Sequence, residues 1–229
     1  KGKIILHLHG YHNPLLEYIM LRLDLENIPV IVTQRGGESP AFRVRNKPWR
    51  IINLLFEKLT YQQIDFFLFQ SKVEKNYYAK VCGPGKVLQF KDGLDFDFFT
   101  PISKSVAREK LKIPQSSKVI ILVGPFTEDR GIRELLALHK SLMKKYKDIR
   151  LFLIGGHKAQ PLYTEIQKSE AHLVPRINQK TLLYYYNSAD LHIHLTSDES
   201  YRYHTGIGNA NIESLACNTP IYTSQLSHF

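Results

Sequence analysis

Apolar residues fall in short runs separated by glycine, proline and polar turns, and these runs alternate with segments whose apolar positions recur every three or four residues. Short runs bounded by turn signals predict buried strands, and the three-to-four spacing predicts helices. The first run, IILHLH at 4–9, reads as a largely buried strand with His7 and His9 packed in the core. Asn13 then offers an N-cap, and Pro14 a first helical position, for a helix over 14–26 that is apolar nearly all round. IPVIVTQ at 28–34 predicts a second buried strand that leaves into the glycine-rich RGGESPAF. Strand, helix and strand with short connections imply a parallel pair joined by a right-handed crossover.

The same alternation continues. Residues 43–64 predict a helix with Pro48 near its start and an apolar stripe at Ile51, Ile52, Leu55 and Leu59. DFFLFQ (65–70) predicts a strand, SKVE (71–74) a capping box that opens a helix over 71–80, and KVLQF (86–90) a further strand. DGLDFDFFTP (92–101) reads as a turn and an extended linker, which places a domain boundary near residue 100. Beyond it, strands are expected at 118–124, 149–156, 171–175 and 190–196, with helices at 131–146, 161–169 and 178–188. The helix at 131–146 would bury Ile132, Leu135, Leu136, Leu142, Met143 and Tyr146. The fold class is α/β, with two Rossmann-like parallel-sheet domains at 1–100 and 101–229. Strands are few in the first and the second stops just after PIYTS, so both domains read as incomplete and the chain as a fragment.

Composition narrows the partners. At 229 residues and 43% hydrophobic, the chain can build ordinary cores, and no apolar run reaches the ~18 residues of a membrane helix. The net charge is +10, but Lys and Arg are spread without a dense run, which argues against a nucleic-acid arm and for an anionic lipid or a phosphorylated substrate. Trp49 among basic residues at 43–50 suggests a peripheral membrane surface; an amphipathic core helix with a solvated cationic end is the commoner arrangement. Cys82 and Cys217 stand alone, with neither a disulfide pattern nor zinc spacing, so a cytoplasmic setting is the default.

The candidate chemistry centres on TGIGNANIESLACNTP, residues 205–220, between a strand and the strand that starts at Pro220. The first turn of a helix leaves backbone N–H groups unpaired at the positive end of its dipole, where phosphates bind. Gly206 and Gly208 would let the backbone approach an anion, and Glu213 could grip a ribose diol. Glycines between a strand and a helix are, however, often only turn chemistry. In the first domain, strand ends would bring His9, Gly10, His12, Arg35, Gly36 and Gly37 to one rim, while His192 and His194 read as packed core histidines.

Taken in order, LHLHGYHNP (6–14), PVIVTQRGG (29–37), KDGLDFDFF (91–99), VGPFTEDRG (123–131), LFLIGG (151–156), LLYYYNSADLHIHLTS (182–197) and the glycine loop resemble the retaining, nucleotide-sugar-dependent glycosyltransferases of the GT-B fold, group 1, family 4 type. The resemblance implies an acceptor-side first domain and a second domain that binds the nucleoside diphosphate. It places Thr205, Gly206, Ile207, Gly208 and Asn209 at the pyrophosphate and Glu213 on the ribose hydroxyls. The earlier of the family's two glutamates falls on Thr205, its arginine on Pro125 and its lysine on Arg130. Arg35 stands where the family often has a histidine near the donor sugar, and His12 lies in a matching histidine-and-glycine turn. His12, Arg35 and Arg130 are thus the expected catalytic positions.

Arg133 could replace the cation missing at Pro125, and Glu199 the carboxylate missing at Thr205; an exposed helix residue and a solvated loop glutamate are the plainer accounts. The Asp-x-Asp at 95–97 matches the family's interdomain linker, so neither metal nor cofactor is expected. The implied function is a retaining hexosyltransferase of polysaccharide biosynthesis, moving sugar from a nucleoside-diphosphate sugar to a glycan or lipid-linked acceptor, in the cytoplasm or at the cytosolic face of a membrane. The alternative is a catalytically degenerate nucleotide-sugar-binding or membrane-associated interaction protein of the same fold.

Overall fold

The computed structural model of the chain describes residues 4–10, 18, 20, 22, 25, 27–34, 59–196 and 208–224. Contacts divide them into two units, one running to Asp92 and the other starting at Gly93.

In the first unit, β1 (Leu6–His9), β2 (Val30–Gln34), β3 (Phe66–Phe69) and β4 (Val87–Gln89) form a parallel sheet in sequential order. Helix α1 (Lys72–Cys82) follows β3. Val30, Val32, Phe67 and Phe69 bury one sheet face against Tyr61, Ile64 and Tyr78. The cluster is aromatic: Phe69 stacks on Tyr78 at 4.6 Å between ring centres, and Tyr61 meets Phe67 edge-on at 5.3 Å.

Three expectations change here. Among the described residues β1 pairs with β2 alone, and its side chains alternate between half-buried and exposed instead of being largely buried. Ile4 and Ile5 are 69% and 59% exposed, and His7 and His9 are exposed rather than packed, with His7 Nε2 bonded to Thr33 Oγ1 at 2.7 Å. Leu59 is 60% exposed; the chain turns out of its helix just after Tyr61, and Thr60, Tyr61 and Ile64 are buried instead. Most of the predicted helices at 14–26 and 43–64, with Asn13, Pro14, Trp49, Ile51, Ile52 and Leu55, lies outside the described residues.

The capping box closes on one side. Ser71 Oγ accepts from the Glu74 amide at 3.4 Å, but the Glu74 carboxyl is fully buried with no partner on either oxygen. Burial pushes its pKa up to about 8.

The second unit has β5 (Lys118–Val123), β6 (Ile149–Ile154), β7 (His172–Val174), β8 (Leu191–His194) and β9 (Ile221–Thr223), all parallel, in the order β7-β6-β5-β8-β9. Alternate residues serve opposite faces. Val119 and Ile121 of β5 and Phe152 and Ile154 of β6 pack with Leu183, Tyr186 and Cys217. Ile120, Leu122, Leu151 and Leu153 pack with Ile132, Leu135, Leu162 and Ile166 on the other side. Helices α3 (Ile132–Met143) and α4 (Tyr163–Gln167) therefore cover one face, while α5 (Gln179–Ser188) and α6 (Asn209–Ala216) cover the other. A sheet buried on both faces explains why its strands read as continuous apolar runs. The stripe of α3 differs from expectation: Met143 and Tyr146 are 42% and 48% exposed, and His139 takes the buried place, its Nε2 3.3 Å from the Ile149 carbonyl.

The stretch from Gly93 to Ile102 packs with this unit. Leu94, Phe98, Phe99 and Ile102 join its core, and Asn187 of α5 accepts from Ile102 N at 2.7 Å and donates to the Thr100 carbonyl at 3.2 Å. Asp95 Oδ1 accepts from the amides of Asp97 and Phe98 at 3.1 and 3.0 Å, so this carboxylate caps a turn. Helix α2 (Lys104–Lys110) carries Arg108, which donates to Asp190 Oδ2 at 3.0 Å and to the Ser188 and Gln115 carbonyls. Asp190 Oδ2 also accepts from Val119 N at 2.8 Å, tying the start of β5 to the start of β8.

Two expected outcomes test this account. A folded state that keeps the Glu74 proton up to about pH 8, against 4.5 in an unfolded chain, has stability that is full below pH 4.5 and declines as pH rises through 8. Glu74→Gln should therefore match the wild type near pH 5 and exceed it at pH 9 by on the order of 3 kcal/mol. Melting curves at the two pH values decide it; a difference independent of pH would refute the assignment. Separately, Asp190→Asn leaves Arg108, with a side chain only 5% exposed, lacking its counter-charge. It should cost about 3 kcal/mol in thermal unfolding, whereas removing the exposed Lys104 partner should cost under about 1 kcal/mol.

Candidate functional site

The strand order reverses between β5 and β8: the chain leaves β5 towards β6 and β7 on one side and returns to β8 and β9 on the other. In an open parallel sheet the carboxyl ends at such a point splay apart and leave the crevice in which ligands bind. Described residues of the second unit border it in the loop after β5, at the end of β8 and at the start of α6.

The loop after β5 is built against the loop after β6. Gln160 Oε1 accepts from both Phe126 N and His157 N at 3.0 Å. Gly156 lies against the Phe126 ring, where a side chain would overlap it. A single 3-10 turn, Glu128–Arg130, then leads to Gly131, whose φ of +59° and proximity to Leu195 both require glycine. An added Cβ there would come within 2.7 Å of Leu195 Cβ. This packing places Arg130 with its side chain only 16% exposed, its Nη1 3.2 Å from His194 Nε2 and its Nε 3.6 Å from Asp129 Oδ2.

On β8, His192 and His194 project to one face and Ile193 to the other. His192 is fully buried with no partner on either nitrogen, and burial, then His194, holds it neutral with a pKa of about 3. Its core placement agrees with expectation. His194 does not: it stands at the strand's end against Arg130, and burial, followed by that guanidinium, holds its pKa at about 4 despite the opposing charge of Asp129.

The His192 ring lies 6.5 Å from that of His194 and 5.9 Å from that of Tyr186. Tyr186 OH donates to Glu213 Oε2 at 2.7 Å. Burial raises the Glu213 pKa, and the Tyr186 bond opposes the rise. Glu213 lies in α6, which Gly208 opens with a φ of +80°; Gly208 and Asn209 are both exposed. The result is a row of neighbouring side chains from Glu213 through Tyr186, His192 and His194 to Arg130 in the loop after β5.

Of the expected positions, Arg130, Gly208, Asn209 and Glu213 are described, and Arg130 and Glu213 stand at the two ends of this row. His12, Arg35, Thr205, Gly206, Ile207 and Glu199 lie outside the described residues. Arg133 is an exposed helix residue engaged by two carboxylates, Glu128 and Glu165, the latter at 3.0 Å, and these hold its pKa up. Pro125 is exposed. Tyr186 went unassigned in the sequence reading, and His194 was assigned there to the core. The signal for Tyr186 was its i, i+3 spacing from Leu183 within a run of three tyrosines, and for His194 its place at a strand's carboxyl end.

The family model for glycosyl transferases group 1 matches residues 103–228. D-inositol 3-phosphate glycosyltransferase of Streptosporangium roseum is 26% identical over 192 residues, covering 77% of this chain and 43% of that protein. Sucrose-phosphate synthase from Thermosynechococcus elongatus superimposes with a TM-score of 0.72 at 20% identity, over 97% of this chain and 56% of that one. HepE from Anabaena, in complex with UDP, superimposes with a TM-score of 0.70 at 10% identity, over 97% and 65%. These likenesses establish the GT-B arrangement of two parallel-sheet α/β domains. The chain spans less than half the length of the curated relatives it matches.

The loop that carries Arg130 gives a direct test. Gly131→Ala should lower stability by about 2 kcal/mol, because it combines left-handed backbone with a close approach to Leu195. Gly93→Ala, in open space, should stay within about 0.5 kcal/mol of wild type in the same thermal unfolding measurement.

Proposed function

The chain belongs to the glycosyl transferases group 1, and from that premise we propose that it moves a hexose from a nucleoside-diphosphate sugar to a glycan or lipid-linked acceptor, with retention of configuration. The observation that carries the reading is the placement of Arg130 and Glu213 on the two sides of the switch point, one after β5 and the other on the helix after β8. The relative's name, an inositol-phosphate glycosyltransferase, and the UDP held by HepE agree with a donor of this class.

The chemistry assigned to the residues is simple. Departure of the diphosphate from the sugar carbon requires fixed positive charge and oriented donors at the leaving oxygens. Arg130 supplies charge with a fork of donors suited to phosphate, and the exposed start of α6 at Gly208 and Asn209 supplies backbone N–H groups. Glu213, with one oxygen taken by Tyr186, offers the other to the ribose hydroxyls. Because arginine and backbone donors carry the charge, the reaction as proposed uses no metal. Cys82 and Cys217 form no disulfide, which suits a reducing cytoplasm, and no described helix is long and apolar enough to cross a membrane.

A second reading, a nucleotide-sugar-binding protein without transfer, is favoured by one observation. Arg133 is tied to Glu128 and Glu165 and does not replace the cation absent at Pro125.

Calorimetric titration with UDP, GDP, ADP and their glucose conjugates separates these readings when joined to a sugar-release assay. Arg130→Ala and Glu213→Ala should each weaken the diphosphate that binds by at least about tenfold, a loss of 1.4 kcal/mol or more. Arg133→Ala should leave binding unchanged. Binding with no release of sugar would favour the second reading; binding to none of the nucleotides would refute both.

A further inference from the structure

We propose that His194 is a positioning residue for Arg130, a neutral hydrogen-bond acceptor that orients the guanidinium towards a diphosphate without adding a negative charge beside it. The proposal rests on the donor-site reading above, and it adds to that reading a residue with a defined protonation state.

The bond itself decides the tautomer. Arg130 Nη1 stands 3.2 Å from His194 Nε2. A guanidinium has five donors and no acceptor, so Nε2 must present its lone pair and the ring proton must sit on Nδ1. A protonated imidazole would put two cations in contact, and burial at the end of β8 already disfavours that form.

Neutrality is the useful property. A carboxylate in the place of His194 would hold Arg130 equally well but would cancel its charge and repel a phosphate. An aliphatic residue would leave the charge intact but the guanidinium without this acceptor. An imidazole that can only accept orients the fork without adding a negative charge. Asp129 already pairs with the same guanidinium from the Nε side, its Oδ2 at 3.6 Å, so a neutral acceptor at Nη1 adds orientation without a further negative charge. Histidine is also rigid at this position. It is a strand residue between the buried Ile193 and Leu195, and Leu195 in turn packs against Gly131, next to Arg130.

The test uses the full chain and the variants His194→Gln, which keeps an acceptor, His194→Leu, which removes it, and Arg130→Met. Long-range proton–nitrogen NMR at pH 7 should report the His194 ring as neutral with its proton on Nδ1, and Arg130→Met should shift that signature. A proton on Nε2, a charged ring, or a spectrum indifferent to Arg130→Met would overturn the pair. Titration with UDP, GDP and ADP, each beside its nucleoside, gives the functional arm. His194→Leu should lose roughly tenfold in diphosphate affinity with nucleoside affinity unchanged, and His194→Gln should recover most of it. Equal losses for nucleoside and diphosphate, or no recovery with glutamine, would make His194 a packing residue and overturn the proposal. Wild-type chain that binds no diphosphate while showing the tautomer would bring down the donor-site reading and the positioning role with it. Diphosphate binding that depends on Arg130 but lacks the tautomer signature would leave the reading standing and remove only the proposal.

Discussion

The pairing of β5 with β8 is the constraint from which the site follows. These strands are joined by 67 intervening residues of neither, since β5 ends at Val123 and β8 begins at Leu191. Nothing local brings them together. Their register, Ile120 opposite Leu191 and Ile121 opposite His192, is anchored at the amino end by Asp190, whose carboxylate accepts from the β5 amide of Val119 and pairs with Arg108 and Lys104. Burial works against that carboxylate, but its partners outweigh the penalty and keep its pKa below the ordinary value. A one-residue slip would exchange faces for His192 and Ile193 and turn the polar row into the wrong layer.

The row has a cost that the surrounding core offsets. His192 is buried with unsatisfied nitrogens in a layer otherwise made of Val119, Ile121, Phe152 and Ile154. A neutral imidazole without partners is cheaper to bury than a charged one, and its low pKa is the expression of that preference. The ring fills the space between Tyr186 and His194, so the distance between Glu213 and Arg130 is set by packed rings and not by flexible side chains. Oriented groups that need no rearrangement when a ligand arrives are the usual basis of tight recognition of phosphate and ribose.

Much of this was legible in the amino-acid order, and the failures have physical causes. Strands buried on both faces, such as KVIILV and IRLFLI, announce themselves as apolar runs with glycine exits. The exposure of β1 was not legible, because IILHLH has the composition of a buried strand, and which of its side chains are covered depends on what packs beside it. A stripe counted from apolar residues alone overlooks His139, which enters the core with a backbone carbonyl as partner. Glu213 was assigned from the glycine loop before its helix and Arg130 through the family resemblance. Tyr186 was passed over and His194 was read as core, since each makes its contact between elements distant in sequence: 27 residues separate Tyr186 from Glu213 and 64 separate Arg130 from His194.

The balance of charge at the switch point bears on the distinction between binding and transfer. Holding a diphosphate needs one well-placed cation and a few backbone donors; expelling it from a sugar carbon needs enough positive charge to stabilise the leaving group as it develops. In the proposed reading Arg130 serves the first requirement. For the second, the nearest sequence candidate, Arg133, already serves two carboxylates on the outer face of α3, and Pro125 contributes neither charge nor a backbone donor. In the proposed reading the described cation at the switch point is Arg130, so the orientation of its guanidinium, held at Nη1 by the half-buried His194, bears directly on how it would meet a leaving diphosphate.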